Sequence, residues 1–403
     1  PWIVESGVLL TSNGKPGIKF MSDASGAYFL TSTVNRTNTN EAMSMYAVYR
    51  LLTTTRQAQF GWGVIELEPG ANSNGIALHQ NGVFAYSPNN AAYWSTSLAL
   101  GSVVFTGGLV TNNTIYYNGV ARTSNITNGS NGNMQIGGTL NIGKGVYSSA
   151  KSVISELIFY PNGSQNSNVS LINNDINSYY SIYPPTVSDT DAQAFINSAY
   201  ITDLTQANSI NTLVIDLKAA GLWTKMKAIY PFVGGTAASH RFNLKDPRTV
   251  NAAFYLDFLG GGTHSSNGYQ PNGTTAYADT KLTPSTSLLQ DSTHVSYYSR
   301  TNNSVGNLDF GSIDSGFSST LNAEIKGTDG KSYFRLNRSS SQTGSSVLMD
   351  SSSVFYMINR KTSSEEELFV NNNSKILFSN KNSTSRPNFK IYLGAVNIAG
   401  TQM

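Results

Sequence analysis

Val153-Ile154-Ser155-Glu156-Leu157-Ile158-Phe159-Tyr160 is an apolar run with a single charged interruption, and Pro161 follows it. Runs of this length rich in β-branched and aromatic residues read as strands. Upstream, Met45-Tyr46-Ala47-Val48-Tyr49-Arg50, Ser102-Val103-Val104-Phe105-Thr106 and Thr114-Ile115-Tyr116-Tyr117 read the same way, separated by turns rich in Gly, Asn and Ser. Between Tyr117 and Val120 stands Asn118-Gly119, the pair that favours a type I′ hairpin because both central residues must take positive φ. Many short strands at this spacing predict a sandwich or jelly roll over Val8 to Tyr160.

Downstream of Tyr160 the period changes. Asn168 suits an N-cap, and Leu171 or Ile172, Ile176, Tyr179 and Tyr183 then fall three to four apart, which predicts a helix stopped by Pro184-Pro185. A second short helix is expected after Asp189, with Ala192, Phe195, Ile196 and Ala199 on one side. A third runs from about Thr205, with Ile210, Leu213, Val214 and Leu217 on one face. Lys218 in its last turn and Gly221 just beyond fit a C-terminus. This segment, 168–221, is the one helical island expected, and the domain boundary is placed inside it.

After Trp223 the strand pattern returns, and it echoes the first part at an offset of about 250 residues. Thr11-Ser12-Asn13-Gly14 recurs as Ser265-Ser266-Asn267-Gly268, and Met45 to Arg50 as Val295 to Arg300. The strand before Asn118 corresponds to Leu368-Phe369-Val370-Asn371-Asn372, and Leu140-Asn141-Ile142-Gly143 to Val396-Asn397-Ile398-Ala399. The same order at nearly one offset predicts two copies of one β module joined by helices. Copy two has no counterpart of Val153 to Tyr160, and copy one lacks the lead-in from Ala228 to Phe258. The expectation is therefore a segment of a longer polypeptide, or a chain whose neighbours supply strands, since a sandwich lacking closing strands exposes unpaired edges.

Composition points the same way. Of 403 residues only 12% are charged, against about 25% in ordinary soluble domains. Asn, Ser, Thr and 36 Gly take their place, and these residues weaken long helices. The 22 Tyr and 18 Phe supply enough surface to bury that disorder is not expected. A net charge of +3 leaves no footprint for nucleic acid. No apolar stretch approaches the ~20 residues of a spanning helix, so no membrane insertion is expected. Without cysteine, neither disulfides nor thiolate metal sites are available.

Two stretches carry a resemblance. Ile154 to Tyr183, with the strand Glu156-Leu157-Ile158-Phe159-Tyr160-Pro161 and an Asn-rich helix ending Tyr179-Tyr180-Ser181-Ile182-Tyr183, resembles the end of concanavalin A-like (laminin G-like) jelly rolls in virion proteins of tailed phages. The resemblance is to proteins of phages that infect Bacteroidetes-type bacteria, crAss-like phages among them. Gly221-Leu222-Trp223-Thr224-Lys225-Met226-Lys227-Ala228-Ile229-Tyr230-Pro231-Phe232-Val233-Gly234-Gly235, continuing through His240 and Asn243-Leu244-Lys245-Asp246-Pro247-Arg248, is similar to a segment recurring in such fibre and appendage proteins. The resemblance implies a mainly β chain of two concanavalin A-like jelly-roll or β-sandwich modules, at 1–167 and 222–403, joined by a helical brace at 168–221. It further implies a virion fibre, tail or head appendage, located on the particle surface. Such a protein contacts other virion proteins, forms homo-oligomers (a trimer is favoured) and displays lectin-like domains to host cell-surface polysaccharide.

The residues themselves supply no catalytic constellation. Glu66-Leu67-Glu68 would put two carboxylates on one strand face, but a third acid is missing and Pro69 ends the strand. Glu365-Glu366-Glu367 is consecutive and reads as a solvated turn or charged edge. His79, His240, His264 and His294 are scattered, with no second histidine at metal spacing. Laminin G-like folds admit calcium, yet no Asp-rich loop appears, so no cofactor is expected. Gly260-Gly261-Gly262 reads as a turn, and Trp62 and Trp223 as packing residues.

Glycan binding needs the opposite kind of site, with aromatic faces for sugar C–H surfaces and amides or hydroxyls for sugar hydroxyls. Tyr86, Tyr93 and Trp94, around the loop Ser87-Pro88-Asn89-Asn90, are the candidate platform. Burial of Trp94 at the start of a core strand is the competing reading. A non-enzymatic glycan-attaching appendage is expected, with a ligand-free virion spacer or a jelly-roll glycan hydrolase as alternatives.

Overall fold

A computed structural model of the chain describes residues 4–5, 8–20, 22–23, 26–27, 30–33, 42–52, 58–62, 76–79, 82–85, 97–106, 113–122, 139–142, 152–301, 308–324, 327–340, 345–348, 354–371 and 376–403. The fold is mainly β, as the sequence predicts. It divides into two compact units, Pro1–Pro185 and Thr186–Met403. The division falls inside the expected helical brace.

In the first unit, β1 (Ile18–Phe20), β2 (Met43–Leu51), β3 (Ala99–Phe105), β4 (Asn113–Tyr117), β5 (Val120–Arg122) and β6 (Ser152–Tyr160) form an antiparallel sheet in the order β5-β4-β3-β2-β6-β1. The four runs read as strands from the sequence lie in β2, β3, β4 and β6. Asn118 (φ 48°) and Gly119 (φ 75°) make the two-residue turn between β4 and β5, with Tyr117 opposite Val120. Glycine is required there twice over, since a Cβ at 119 would also stand 2.7 Å from the Tyr183 hydroxyl. A second sheet runs in the order 82–85, 76–79, 58–62, 139–142, 30–33, and its 82–85 strand lies against β3 and β4.

Met43 to Tyr49 of β2 and all of β3 are buried, so the first sheet is covered on both faces. One cover is α1 (Val169–Tyr180), which sets Val169, Ile176 and Tyr180 on Tyr46, Val48, Leu100 and Val104. The stripe it buries is Val169, Asn173, Ile176, Asn177 and Tyr180; of the expected positions Ile172, rather than Leu171, packs partly buried against this core with Tyr183, while Tyr179 is 57% exposed. Two asparagines belong to the stripe because each has buried hydrogen bonds to make, which an apolar period cannot register. Asn173 Oδ1 accepts from Ser102 Oγ at 2.9 Å. Asn177 Oδ1 accepts from the N–H groups of Ile182 (2.9 Å) and Tyr183 (3.0 Å), and its Nδ2 donates to the Tyr183 carbonyl (2.8 Å). The helix ends at Tyr180 with Ser181 in the left-handed region (φ 52°), ahead of the prolines. Asn177→Ala removes the side-chain partner of two backbone donors and a carbonyl, and is expected to destabilise the first unit by about 2 kcal/mol in chemical denaturation.

The second unit begins with α2 (Thr190–Ser198) and α3 (Leu204–Ala219). Asp189 caps α2 by accepting from the N–H groups of Asp191 and Ala192, and Asp203 caps α3 through Gln206. Lys218, in the last turn of α3, reaches back to Asp189 and Asp191, both at 2.7 Å. Ala192, Phe195, Ile196, Ala207, Ile210 and Val214 pack with Trp223 and Leu244. Leu213, expected on the buried face of α3, is 39% exposed. Thus α1 packs with the first unit while α2 and α3 pack with the second.

The rest of this unit is a sandwich. Its small sheet contains β7 (Thr293–Ser299), β11 (Val354–Arg360), β12 (Glu366–Val370) and β13 (Ile376–Phe378), in the order β7-β11-β12-β13. Its large sheet is centred on β8 (Phe310–Ile313), β9 (Thr320–Glu324) and β10 (Lys331–Arg338). Phe310, Leu321, Phe334 and Leu336 of the large sheet meet Val354, Tyr356, Ile358, Leu368 and Val370 of the small one.

Here one expectation is corrected. Glu366 is no solvated turn residue. It lies on an interior strand, with its side chain fully buried between Arg338 (Nε–Oε1 3.0 Å) and Arg360 (Nη2–Oε1 2.8 Å), and it also accepts from the Leu336 N–H at 2.9 Å. Alternation along β12 sends Glu366 into the core with Leu368 and Val370, and two guanidiniums from β10 and β11 make the charge tolerable there.

The repeated segments also differ in their setting. β2 is an interior strand buried on both faces, whereas its echo β7 is an edge strand that alternates buried and exposed. Asn13-Gly14 forms the turn of the first hairpin, whereas Ser266-Asn267 forms that of the second, one position earlier in the echo.

Candidate functional site

Among the described residues, no hydrophobic cluster joins a helix to the outer face of the small sheet of the second unit. Because side chains alternate, β7 turns His294, Ser296 and Tyr298 outward, and β11 turns Phe355, Met357 and Asn359. Register places Tyr298 opposite Phe355, Ser296 opposite Met357, and His294 opposite Asn359. β12 adds Phe369 opposite Met357 and Glu367 opposite Asn359. Directly opposed side chains on one sheet face stand about 4.5–5.5 Å apart at Cβ, so these residues form three rungs. The first is aromatic, with Tyr298 52% and Phe355 38% exposed. The third is polar, with His294 Nδ1 and Asn359 Oδ1 2.6 Å apart and Glu367 Oε1 3.6 Å from Lys361 Nζ.

The aromatic rung is held in place from behind. Asn371, in the left-handed region (φ 47°), accepts from the Phe355 N–H through its side chain at 2.8 Å and donates its own N–H to the Phe355 carbonyl at 3.0 Å. The face forms one wall of a cleft of about 2530 Å³, to which the end of α3 and the turn after it contribute Leu213, Leu222, Lys225 and Lys227. An exposed aromatic pair next to an amide, an imidazole and a hydroxyl can hold a sugar ring by its C–H face and its hydroxyls together. Among the described residues the face carries one carboxylate, Glu367.

A second cluster joins residues that look scattered in the sequence. His240 Nδ1 and His264 Nδ1 stand 2.9 Å apart. Phe232 meets the His240 ring edge-on at 5.5 Å, Tyr269 stacks on His264 at 4.9 Å, and Phe258 closes on His264 at 4.4 Å. His240 is 1% exposed, and its Nε2 is buried without a hydrogen-bond partner among the described residues, as is the Tyr269 hydroxyl. One imidazole must donate and the other accept, so the arrangement suits two neutral rings. Burial, then the neighbouring His264, pushes His240 down to about 4, and burial lowers His264 as well. Among the described residues no three His, Asp or Glu converge to hold a metal ion.

Of the residues singled out in the sequence, Tyr86, Tyr93 and Trp94 lie outside the described residues, as do Glu66 and Glu68. Trp62 and His79 fall in the strands 58–62 and 76–79. Trp223 is buried in the helical core, and Gly260 and Gly261 take the positive φ of a turn. Tyr298 and Phe355 were not legible as a pair. Both sit in apolar runs, and only the register of β7 against β11 shows that they share the solvent face.

No family model matches the chain, and no curated protein matches it. Among solved structures it is similar to domains LG4-5 of the mouse laminin alpha1 chain, at 11% identity and a TM-score of 0.26, over 91% of this chain and 79% of that one. It is also similar to the Trypanosoma rangeli sialidase in complex with 2,3-difluorosialic acid, at 11% identity and 0.29, over 40% of this chain and 27% of that one. Domain 4 of an extracellular arabinanase from Geobacillus stearothermophilus, in complex with arabinotriose, matches at 14% identity and 0.24, over 38% and 80%. The chain thus spans about a quarter of the sialidase, and likeness at these TM-scores assigns neither family nor activity.

Proposed function

We propose that this chain is a non-enzymatic attachment protein that holds surface glycans on the outer face of β7, β11 and β12. The observation carrying this reading is the exposed pair Tyr298–Phe355 on the outer face of the small sheet, one rung from Met357 and two from His294 and Asn359. Sugars are uncharged over much of their surface, and shallow aromatic platforms with nearby amides suit them better than deep catalytic pockets do. The sequence resemblance at 154–183 and 221–248 extends the reading: a fibre or appendage component on the surface of a tailed-phage virion. In that setting the chain contacts other virion proteins, works as a homo-oligomer with a trimer favoured, needs no cofactor and engages host cell-surface polysaccharide.

The test is a glycan array probed with the whole chain and with the double variant Tyr298→Ala/Phe355→Ala. Loss of both rings is expected to weaken binding at least tenfold, about 1.4 kcal/mol, with the thermal unfolding midpoint little changed because both rings are solvent-facing. If the intact chain binds no glycan, a spacer role replaces this one. Equal binding by the double variant would move the site elsewhere.

A further inference from the structure

The charges around the cleft are one-sided. Lys225 and Lys227 line it from the turn after α3, and Arg300 lines it two positions beyond Tyr298 on the continuation of β7. All three are exposed, and none makes an ion pair with a described residue. The other charged groups at the cleft are already engaged. Arg360 is bound to Glu366, Arg386 donates to the Leu288 carbonyl, and Lys361 lies 3.6 Å from Glu367. Asp309 is the remaining acid on the wall, beside the half-buried Tyr297. Among the described residues, three cations without an ion-pair partner thus line the same cleft as the aromatic rung, in a chain with only 12% charged residues.

Resting on the glycan reading above, we propose that the cleft selects acidic polysaccharides whose sugars carry carboxylates. Lys225, Lys227 and Arg300 meet the carboxylates while Tyr298 and Phe355 lie against the sugar rings. Cations carried on two separate stretches of the cleft wall, after α3 and after β7, suit a polymer with one negative charge per repeating sugar. A phosphate, with its greater charge and three acceptor oxygens, is better met by donors converging on one point.

The experiment measures binding of the full chain to oligogalacturonate and to the same oligomer methyl-esterified, which removes the charge and keeps the sugar. The free acid is expected to bind at least tenfold tighter at low salt, with the advantage shrinking at 0.5 M salt as screening shortens to a few ångströms. In the triple variant Lys225→Gln/Lys227→Gln/Arg300→Gln the advantage of the acid should vanish while the ester binds as before. Tyr298→Ala should weaken both ligands alike. Equal binding of acid and ester by the wild-type chain, or an advantage that survives in the triple variant, overturns the charge selection and leaves the glycan face standing. A single-stranded oligonucleotide that binds tighter than the acid overturns it in favour of a nucleic-acid groove. Failure of both oligomers to bind, together with an empty glycan array, removes the glycan reading itself.

Discussion

Glu366→Ala is expected to lower the stability of the second unit by about 3–5 kcal/mol, the range for removing one partner of a buried ion pair. The carboxylate is bonded to two fully buried guanidiniums, those of Arg338 and Arg360. Without it, two positive charges remain in a core of Phe334, Leu336, Tyr356 and Leu368. For a unit of this size each kcal/mol moves the midpoint by about 2–4 °C, so thermal unfolding followed by circular dichroism should shift by roughly 6–20 °C. Glu366→Gln keeps the shape and an acceptor for the Leu336 N–H but removes the charge, and should retain most of the loss. Glu365→Gln, one residue earlier and half-buried, is the control and should change little. Both arginines are also anchored to the backbone: Arg360 donates to the carbonyls of Leu336, Thr362 and Lys381, and Arg338 to that of Phe334. A shift below about 1 kcal/mol in Glu366→Ala would refute the buried triad.

Acid is expected to loosen the same unit through His240, in a window set by two values. In the unfolded chain an imidazole titrates near 6.5; in the folded protein burial and His264 hold His240 at about 4. Between these values the unfolded state binds more protons than the folded one, so stability falls as pH drops from 6.5 to 4. Above 6.5 and below 4 this contribution is flat. A separation of about 2.5 pH units at about 1.36 kcal/mol each gives a loss of about 3 kcal/mol. His264, also lowered by burial, adds in the same direction. The carboxylates of Asp189, Asp246 and Asp279 are held below their ordinary value of 3.8, by bonds to Lys218, Arg248 and Lys281 respectively. Their contribution is lost only below about pH 4, so the two windows separate. Denaturation curves at pH 7, 5.5 and 4 should show the fall, and His240→Gln should flatten it. An unchanged slope in that variant would assign the acid sensitivity elsewhere.

How much of this was legible beforehand follows from what each feature depends on. Asn118-Gly119 announces its turn because two successive positive φ angles restrict the residue choice locally. Asp189 marks the start of α2 for the same kind of reason: a short acceptor side chain satisfies N–H groups two or three residues on. β2, β3, β4 and β6 are visible as apolar runs because each must bury its own side chains. The amphipathic face of α1 was misplaced since Asn173 and Asn177 turn inward for hydrogen bonds made to Ser102, Ile182 and Tyr183. Nothing in the spacing of asparagines reports such partners.

By itself, then, the sequence determined the elements: short strands, glycine and asparagine turns, three helices, and a surface poor in charge, all consequences of interactions between near neighbours. Which elements meet was decided only in three dimensions. Folding brought Glu366 between Arg338 and Arg360, His240 against His264, and Tyr298 beside Phe355, over separations of 6 to 57 residues. Such meetings depend on strand register and sheet order, and a shift of one residue in register would have sent each of these strand side chains to the opposite face.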